Sequence, residues 1–325
     1  MLVLNKKEIE GLLSWPEIIS ICEDVFRWID LGEVVQDHMS PIYYSLRTGH
    51  EAFALPFPAC IKPLGVVGNK WGAGSRANRD RGLPSFMATV SLNDAETGAP
   101  IALMDGTSIT SMRTAGHAAI GAKYLARPDS STVAIVGCGA EGGSFLSALS
   151  TLFDIRKVNA VARSIESAER YAEKYGAALN LEIEPVETPR EAIEGADIIC
   201  MCSSAAEPLV LDEWIAPGTH VAATRAFIDY DPKFSGTADK WVLGYRETDG
   251  QWLRKPPFAN IKGLSVDAVF ADLVEIIAGR TPGRERADER TIMTHMGMGA
   301  LDVAVAHEIY VRASSKGIGR EVELF

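Results

Sequence analysis

The chain has 325 residues, of which 47% are hydrophobic and 23% are charged, which is enough for two globular domains with substantial cores. Its formal net charge of −11 argues against binding to nucleic-acid phosphates, because that binding needs a basic face. A membrane is not an expected partner either, since no apolar run approaches the roughly 20 residues that span a bilayer and no cleavage-type signal opens the sequence.

The first third of the chain combines one amphipathic helix with short strands. Ser14 and Pro16 suit the start of a helix, and apolar residues then recur at helical spacing from Ile18 until Gly32. Beyond Pro41, β-like runs separated by glycine and proline lie at residues 42–46, 64–67 and 86–92. The turn chemistry of residues 93–98 predicts that two antiparallel strands meet there. This third is therefore predicted to be α+β with a mainly antiparallel sheet.

The rest of the chain alternates strands and helices. After a helix predicted over residues 108–126, strands are predicted at 132–136, 158–162, 197–201, 220–223 and 241–243, and helices at 140–151, 165–175 and 268–278. A last helix is predicted over residues 298–314. Such alternation predicts parallel strands joined by crossover helices, and therefore an α/β fold.

The cysteines suggest a reducing compartment. Five are present, an odd number, and their spacing does not match a metal site. Cys200 and Cys202 lie in an apolar run, as expected for reduced residues of a buried strand. We therefore expect free thiols, a cytoplasmic protein and no bound metal.

A glycine-rich turn follows the strand predicted at residues 132–136. It reads Gly137-Cys138-Gly139-Ala140-Glu141-Gly142 and opens the next predicted helix. In this context Gly137 permits a tight turn, Gly139 lets the backbone approach a pyrophosphate, and Gly142 lets the helix pack against the strand. The first helical residues, Ala140 and Glu141, then offer backbone N–H groups to the phosphates. The motif predicts a Rossmann site for a nicotinamide dinucleotide.

The end of the second strand bears on the choice between NAD and NADP. Proteins that bind NAD usually carry Asp or Glu there, which holds the ribose 2′-hydroxyl. This chain has Arg163 and Ser164 instead, and Arg163 is placed to meet a 2′-phosphate. Alternatively, Ser164 caps the next helix and Arg163 is solvated, while Glu166 keeps some use of NAD open. The sequence favours NADP(H), with NAD(H) possible.

Several segments resemble hallmarks of the ornithine cyclodeaminase/mu-crystallin family. They are LNDAETGAPIALMDG at residues 92–106 and its continuation ITSMRTAG at residues 109–116. EIIAGRTPGR at residues 275–284 and the helix over residues 297–310 are also similar to that family. The resemblance therefore extends over nearly the whole chain, and the Arg-Thr-Ala segment is its most specific part.

The resemblance implies two domains and a class of reaction. A substrate-binding and dimerisation domain would comprise residues 1–117, completed by residues 298–325, and a Rossmann domain would comprise residues 118–297. The reaction implied is hydride transfer at the α-carbon of an amino or imino acid, carried out by a homodimer. Members include cyclodeaminases, alanine dehydrogenases and ketimine reductases, and some mu-crystallins are binding proteins. Membership alone therefore fixes neither the substrate nor catalysis.

The resemblance also places three basic residues, Arg47, Lys70 and Arg113, in the substrate pocket. A guanidinium grips a planar carboxylate with two hydrogen bonds, whereas an ammonium is a movable point charge. Lys70 also suits proton transfer, because enclosure lowers the pKa of an ammonium towards neutrality. Two alternatives stay open: Arg113 lies on a helix surface and pairs with Asp105, or Lys70 belongs to a loop.

One position departs from the cyclodeaminase pattern. Cyclodeaminases carry a catalytic Asp just after the strand that corresponds to residues 220–223, but this chain has Thr224 and Arg225. We expect both near the substrate, with Thr224 also near the cofactor. Arg225 suits a second acidic group or the cofactor phosphates, unless it is a loop residue paired with Asp229 or Asp231.

Two histidines, His117 and His295, have different interpretations. His295 lies in a segment that the family places near the nicotinamide, so we expect a cofactor contact there. Its ring has a pKa suited to acid–base chemistry, although such a histidine can also be a packed core residue. We interpret His117 as structural.

The sequence as a whole predicts an NAD(P)H-dependent imine (ketimine) reductase or amino-acid dehydrogenase, with Lys70 and Arg113 as catalytic residues. If Arg225 faces the pocket, a dicarboxylic substrate such as iminosuccinate or aspartate is a candidate, beside a cyclic ketimine. The alternatives are a cyclodeaminase that recycles its cofactor and a non-catalytic dinucleotide-dependent binding protein. Lys70 favours an enzyme, since binding alone needs no proton carrier.

Overall fold

A computed structural model describes residues 1–37, 40–45, 49–203, 205, 207–224, 227, 229–256 and 258–324. The chain divides into two compact units, of which unit 1 comprises Met1–Arg113 and Met298–Phe325, and unit 2 comprises Thr114–Gly297. Arg47 and Arg225, both expected near the substrate, lie outside the described residues.

Each unit is built around one β-sheet. The described strands are, in chain order, β1 Leu2–Leu4, β2 Val34–Gln36, β3 Ile42–Ser45, β4 Glu51–Ile61, β5 Val66–Gly74, β6 Phe86–Asp94, β7 Pro100–Asp105, β8 Thr132–Val136, β9 Lys157–Val161, β10 Ile183–Val186, β11 Ile198–Met201, β12 His220–Ala223, β13 Lys240–Leu243, β14 Ala271–Asp272, β15 Thr291–Thr294 and β16 Arg320–Glu321. The described α-helices are α1 Lys6–Ile9, α2 Trp15–Asp30, α3 Gly106–Leu125, α4 Ala140–Leu149, α5 Ile165–Leu179, α6 Pro189–Ile193, α7 Lys233–Thr237, α8 Arg246–Leu253, α9 Leu273–Ile277 and α10 Gly299–Lys316.

The sheet of unit 1 is mainly antiparallel, as predicted. Its strands follow the order β16-β1-β7-β6-β5-β4-β2, with β3 also paired to β4, and β1 with β7 is a parallel pair. In β5, alternate residues from Val66 to Gly74 are buried, which is the pattern of a sheet covered on one face. That face packs against α10, where a Cβ atom on Gly299 would lie 2.6 Å from the Phe57 carbonyl oxygen. The glycine therefore lets helix and sheet approach closely.

The sheet of unit 2 is parallel and follows the order β10-β9-β8-β11-β12-β15-β13-β14. From β8 the chain proceeds outwards through β9 and β10, and then returns to place β11 and β12 on the other side of β8. The order therefore reverses between β8 and β11, and ligands of open α/β sheets bind at the carboxyl ends of strands at such a reversal. This sheet carries a large apolar core in which Trp241, Tyr230 and Phe227 are buried.

Most predicted elements are confirmed, among them α2, α10 and the strands β8 and β12. The helix predicted over residues 268–278 is confirmed only for α9 and is wrong before it, because that part of the segment contains β14. The Asp272 side chain accepts a hydrogen bond from the Glu275 backbone N–H and starts a new helix there, directly after β14 has paired with β13. Local capping and strand pairing together override the helical periodicity.

The strand predicted at residues 64–67 is also misplaced. Residues 62–64 form a single 3-10 turn, and Gly65 follows in the left-handed conformation with φ 61°. The strand β5 begins only at Val66 and continues through Lys70 to Gly74. Lys70 is therefore a strand residue, and the alternative that placed it in a loop is wrong.

Three further observations concern the whole described part of the chain. None of its helices is both long and apolar enough to cross a membrane. Its histidine, cysteine, aspartate and glutamate residues form no group that would hold a metal ion. The five cysteines are free thiols.

Candidate dinucleotide site and buried cationic cluster

The glycine-rich turn lies at the carboxyl end of β8, where the strand order reverses. Gly137 has φ +116°, and a Cβ atom on it would lie 2.7 Å from the backbone of Cys202, which follows β11. A Cβ atom on Gly142 would lie 2.6 Å from the Gly137 carbonyl oxygen. Only glycine fits either position without displacing the backbone.

Gly139 differs from these two glycines, because a Cβ atom on it would have no described atom within 4 Å. It is the N-cap of α4 and has no side chain to accept hydrogen bonds from the backbone N–H groups of the first turn. The N-terminus of a helix of this length attracts anions through those groups and its dipole. The turn with Ala140 and Glu141 therefore fits a pyrophosphate.

The end of β9 presents basic and hydroxyl side chains. Arg163 and Ser164 are exposed just beyond the strand, and Ser164 is the N-cap of α5. Its hydroxyl lies 3.1 Å from the Ser167 hydroxyl, which accepts a hydrogen bond of 2.9 Å from the Arg170 guanidinium. Ser164 thus takes the expected N-cap position, but its side chain makes no cap hydrogen bond. Its hydroxyl belongs instead to a polar cluster with Ser167 and Arg170, two residues that the sequence did not single out.

Thr224 lies at the same edge of the sheet, one residue beyond β12. It is buried, and its hydroxyl lies 3.3 Å from a Glu141 carboxylate oxygen and 3.3 Å from the Met201 carbonyl oxygen. The hydroxyl has one proton and donates to one of these acceptors at a time. Thr224 is therefore brought to the start of α4, beside the glycine-rich turn.

His295 is buried one residue beyond β15 and stacks on His117, with ring centroids 3.8 Å apart. A Cβ atom on Gly244, which follows β13, would lie 2.5 Å from the His117 ring. This pairing could not be predicted from the sequence, because the two histidines are far apart in the chain. The stacked rings therefore lie beside the carboxyl ends of β13 and β15.

Asp249 holds the loops beyond those two strands. Its carboxylate accepts hydrogen bonds of 3.0 Å from the Tyr245 backbone N–H and 2.9 Å from the Met296 backbone N–H. Burial raises the pKa of Asp249 to about 7, against these backbone hydrogen bonds, which favour the ionised form. Sequence reasoning did not single out this carboxylate.

Unit 1 contains a fully buried cluster of three charged side chains, which we call the cationic cluster: Lys70, Arg113 and Asp302. The Lys70 Nζ atom lies 2.8 Å from Asp302 Oδ2, and Arg113 Nε donates a 2.9 Å hydrogen bond to Asp302 Oδ1. The exposed fractions of the Lys70, Arg113 and Asp302 side chains are 0%, 5% and 0%. The Phe57 ring covers the ammonium at 3.8 Å from its centroid.

The environment of Lys70 brings its ionisation close to neutral pH. Burial and, to a smaller extent, the charge of Arg113 lower the pKa of Lys70 to about 7, while Asp302 opposes this change. Nearby on α2, burial raises the pKa of the Cys22 thiol to about 12, so that thiol stays neutral. Near pH 7, Lys70 can therefore be either an ammonium or an amine.

The structure brings the predicted Lys70 and Arg113 together and corrects one alternative. Asp105 accepts hydrogen bonds from the backbone N–H groups of Thr107 and Ser108 at the start of α3, while Arg113 is buried against Asp302. The surface pair of Arg113 with Asp105 is therefore wrong. Asp302 was missed, although an acid within the apolar run at residues 300–306 of the last helix was a usable signal.

Unit 2 has the parallel sheet, the strand reversal and the glycine-rich turn that define a Rossmann dinucleotide-binding fold. The ornithine cyclodeaminase/mu-crystallin family profile matches residues 1–317. The chain belongs to that family.

Three solved structures illustrate the similarity. Thermococcus litoralis Δ1-pyrroline-2-carboxylate reductase, in complex with NADH and L-proline, is 30% identical with a TM-score of 0.91, over 99% of this chain and 100% of that chain. An archaeal alanine dehydrogenase dimer with bound NAD is 32% identical with a TM-score of 0.88, over 100% and 99%. Paracoccus denitrificans iminosuccinate reductase with NAD+ is 26% identical with a TM-score of 0.85, over 100% and 99%.

Proposed function

We propose that the protein is an NAD(P)H-dependent oxidoreductase that reduces the C=N bond of a small imino acid or, in reverse, oxidises the amino acid. The observation that carries this proposal is the cationic cluster, which combines a carboxylate-binding guanidinium with an amino group that ionises near neutral pH. A binding protein has no need of the second group. The three structures compared above are of enzymes named for such substrates.

In this proposal Arg113 holds the substrate carboxylate. Its Nε–H is used by Asp302, so an end-on, bidentate grip would use the two terminal nitrogens of the guanidinium. The two cations and one anion of the cluster leave one formal positive charge, which complements one carboxylate. In a buried site such fixed charges bind an anion more strongly than they do in water.

Lys70 carries the proton of the reaction. When bound, the nicotinamide supplies a hydride to the α-carbon, or removes one from it. In the direction of reduction, the Lys70 ammonium donates a proton to the substrate nitrogen, so that a hydride and a proton add across the C=N bond. In the direction of oxidation, the neutral amine accepts that proton. A group with a pKa near 7 serves both directions at physiological pH.

The cofactor site is assigned to Gly137, Gly139, Ala140, Glu141 and Gly142. The open space beside Gly139 and the helix N-terminus behind it fit a pyrophosphate. We assign Thr224 and His295 to the same edge of the sheet, with Thr224 also near the substrate.

Within this proposal NADP(H) is the preferred cofactor. Arg163 and Ser164 are exposed where an acid would bind the ribose of NAD, and the polar cluster that includes Arg170 adds a second guanidinium. The compared structures contain NADH or NAD+, and Glu166 is nearby, so NAD(H) is the competing choice. Kinetics with both cofactors distinguish them.

The choice of substrate follows from the number of acidic groups that the site can hold. Arg113 accounts for one carboxylate, which suits a cyclic imine or the imine of a small amino acid. A dicarboxylic imine such as iminosuccinate needs further basic groups, for which Arg47 and Arg225 are our candidates. Cyclodeaminase activity is disfavoured, because Thr224 stands where the family pattern has a catalytic acid.

A panel of imines tests the function directly. We expect oxidation of NADPH or NADH, followed by its absorbance, with Δ1-pyrroline-2-carboxylate, pyruvate plus ammonia, or oxaloacetate plus ammonia. Ornithine with a catalytic amount of cofactor should give little proline. Rapid proline formation with no net cofactor oxidation would identify a cyclodeaminase instead, and inactivity on the whole panel would favour a binding protein.

We also propose that the protein is a homodimer that buries the outer face of the unit 1 sheet. Ile42, Val67, Trp71 and Met87 lie on that face, and their exposed fractions are 54%, 36%, 43% and 42%. An exposed apolar patch of this kind is typical of an interface. Light scattering should find a dimer for the wild type and a monomer for Trp71→Glu, whereas Val311→Glu, which replaces an exposed residue of α10, should stay dimeric.

A further inference from the structure

We propose that Asp302 is the positioning residue of the reductase site, which orients Arg113 and keeps Lys70 able to carry a proton. The inference rests on the proposed function for the roles of Lys70 and Arg113. Its own basis is the arrangement of three buried charges, in which one carboxylate contacts both cations.

Each oxygen of the Asp302 carboxylate has its own cation. Oδ2 contacts the Lys70 ammonium at 2.8 Å, and Oδ1 accepts the Arg113 Nε–H at 2.9 Å. The contact through Nε fixes the plane of the guanidinium. It leaves the two terminal nitrogens in position for a bidentate contact with a carboxylate. Arg113 can therefore bind Asp302 and a substrate carboxylate at the same time, and Lys70 is held at a fixed distance from Arg113.

The groups that face Lys70 come from three elements, and a fourth element adds a neutral thiol beside its two charged neighbours. Asp302 approaches from α10, Arg113 from α3 and the Phe57 ring from β4, while the Cys22 thiol on α2 lies close to Arg113 and Asp302. Among these, Asp302 is the group whose negative charge favours the ammonium. Without it, two buried cations would face each other, and Lys70 would lose its proton at a lower pH.

This arrangement predicts opposite effects from removing the two partners of Lys70. Asp302→Asn removes a negative charge, so the midpoint of Lys70 ionisation should fall by about one to three pH units. Arg113→Gln removes a positive charge, so that midpoint should rise. Asp302→Glu keeps the charge and should restore a midpoint near that of the wild type.

The midpoint can be measured without turnover. The full-length protein is expressed with ¹³C-lysine and then saturated with NADPH. The NMR resonance of the Lys70 side chain is assigned by its disappearance in Lys70→Met. Its pH titration in each variant gives the midpoint. A midpoint that stays unchanged in folded Asp302→Asn overturns the proposal.

The pH profile of imine reduction gives a second measurement. Because reduction needs the ammonium, kcat/KM falls as the pH rises through the Lys70 midpoint. In Asp302→Asn that decline should move to lower pH, and each unit of movement costs about tenfold in kcat/KM above both midpoints. A lower rate with an unmoved decline would mean that Asp302 has a purely structural role, which contradicts the proposal.

Folding and function can be separated in this design. If Asp302→Asn does not fold, the double variant Asp302→Asn/Arg113→Gln restores a single surplus positive charge. Its Lys70 midpoint must then lie below that of Arg113→Gln, and equal midpoints overturn the proposal. If the wild type reduces no imine but the midpoints move as expected, the proposed function fails and the control of Lys70 by Asp302 is supported.

Discussion

The two units present charge in different ways. In unit 2, backbone N–H groups, a helix N-terminus and the open space beside Gly139 are available to a phosphate. The basic side chains at the end of β9 are exposed. In unit 1, the charged groups available to a carboxylate are two side-chain cations, which are buried against an acid. Backbone groups cannot change their protonation, whereas Lys70 can. Unit 2 therefore presents fixed backbone dipoles, whereas unit 1 presents side-chain charges, one of which can gain or lose a proton near neutral pH.

The largest expected effect separates proton transfer from binding. Lys70→Met removes the proton carrier, so kcat for imine reduction should fall by about 10²- to 10⁴-fold, with a small change in KM. Steady-state kinetics with saturating NADPH measure both constants, and circular dichroism checks that the variant is folded. A variant whose KM rises while its kcat is unchanged would show that Lys70 acts as a binding charge, like the groups of unit 2.

Arg113→Lys tests the other half of the cluster. The charge is kept but the planar fork is lost, so KM should rise and kcat/KM should fall by roughly tenfold to over a hundredfold, equivalent to about 1.5–3 kcal/mol. Kinetics and product inhibition by the amino acid measure the change. If this variant matches the wild type on every substrate of the panel, the carboxylate is held elsewhere.

The backbone site of unit 2 can be tested with a matched pair of glycine variants. Gly139→Ala places a methyl group into the open space assigned to the pyrophosphate, so cofactor Kd should rise about tenfold or more while Tm changes little. Gly137→Ala strains a residue with φ +116° against the backbone of Cys202, so its main effect should be a lower Tm. Calorimetric titration and thermal melts of both variants check this, and equal cofactor affinity in Gly139→Ala and the wild type would reject the site.

Arg163→Asp addresses the exposed basic side chains of unit 2. Loss of one charge-assisted contact should weaken NADPH use by roughly tenfold to over a hundredfold, or about 1.5–3 kcal/mol, while NADH use is kept or improved. The ratio of kcat/KM for the two cofactors is the measurement, with the exposed Arg156→Asp as control. A ratio that does not change would show that Arg163 does not contact the 2′-phosphate of NADPH.

The last effect is on stability and follows from the ionisation of Lys70. Its pKa is about 7 in the folded protein, against an ordinary value of 10.5, so the unfolded chain binds more protons between those pH values. Wild-type stability therefore gains from this residue as the pH rises through that window. Lys70→Met lacks the gain, so its Tm relative to the wild type should fall from pH 7 to pH 10, whereas the exposed Lys7→Met should show no such trend.

The sequence was more informative about unit 2 than about the cluster in unit 1. The glycine-rich turn is contiguous, and its flanking strand and helix carry their own local signals, so its position and geometry are predictable. Lys70, Arg113 and Asp302 come from three separate elements, and only the folded chain brings them together. The resemblance to a family supplied Lys70 and Arg113, but nothing in the local pattern paired either of them with Asp302.

The failed secondary-structure predictions have a similar cause. Strand β15 has the sequence Thr-Ile-Met-Thr. It was not predicted, although it lies between β12 and β13 and pairs with both. The region of β14 and α9 shows helical periodicity, but pairing with β13 and the cap at Asp272 divide it. In both cases strand pairing between segments that are distant in the chain determines the structure. A short window of sequence carries no signal for such pairing.

The return of the chain to unit 1 has a consequence for biosynthesis. The backbone of Met1 bonds to Val322, and β1 pairs with β16, while α10 packs on a sheet made almost wholly from the first 105 residues. During translation that sheet must wait, with one apolar face uncovered, until the whole of unit 2 and then α10 have left the ribosome. Contacts between the two ends of a chain form slowly, and uncovered apolar sheets associate in the meantime. The helix α10, which brings Asp302 to Lys70, is therefore also the helix that covers this apolar face of the nascent sheet.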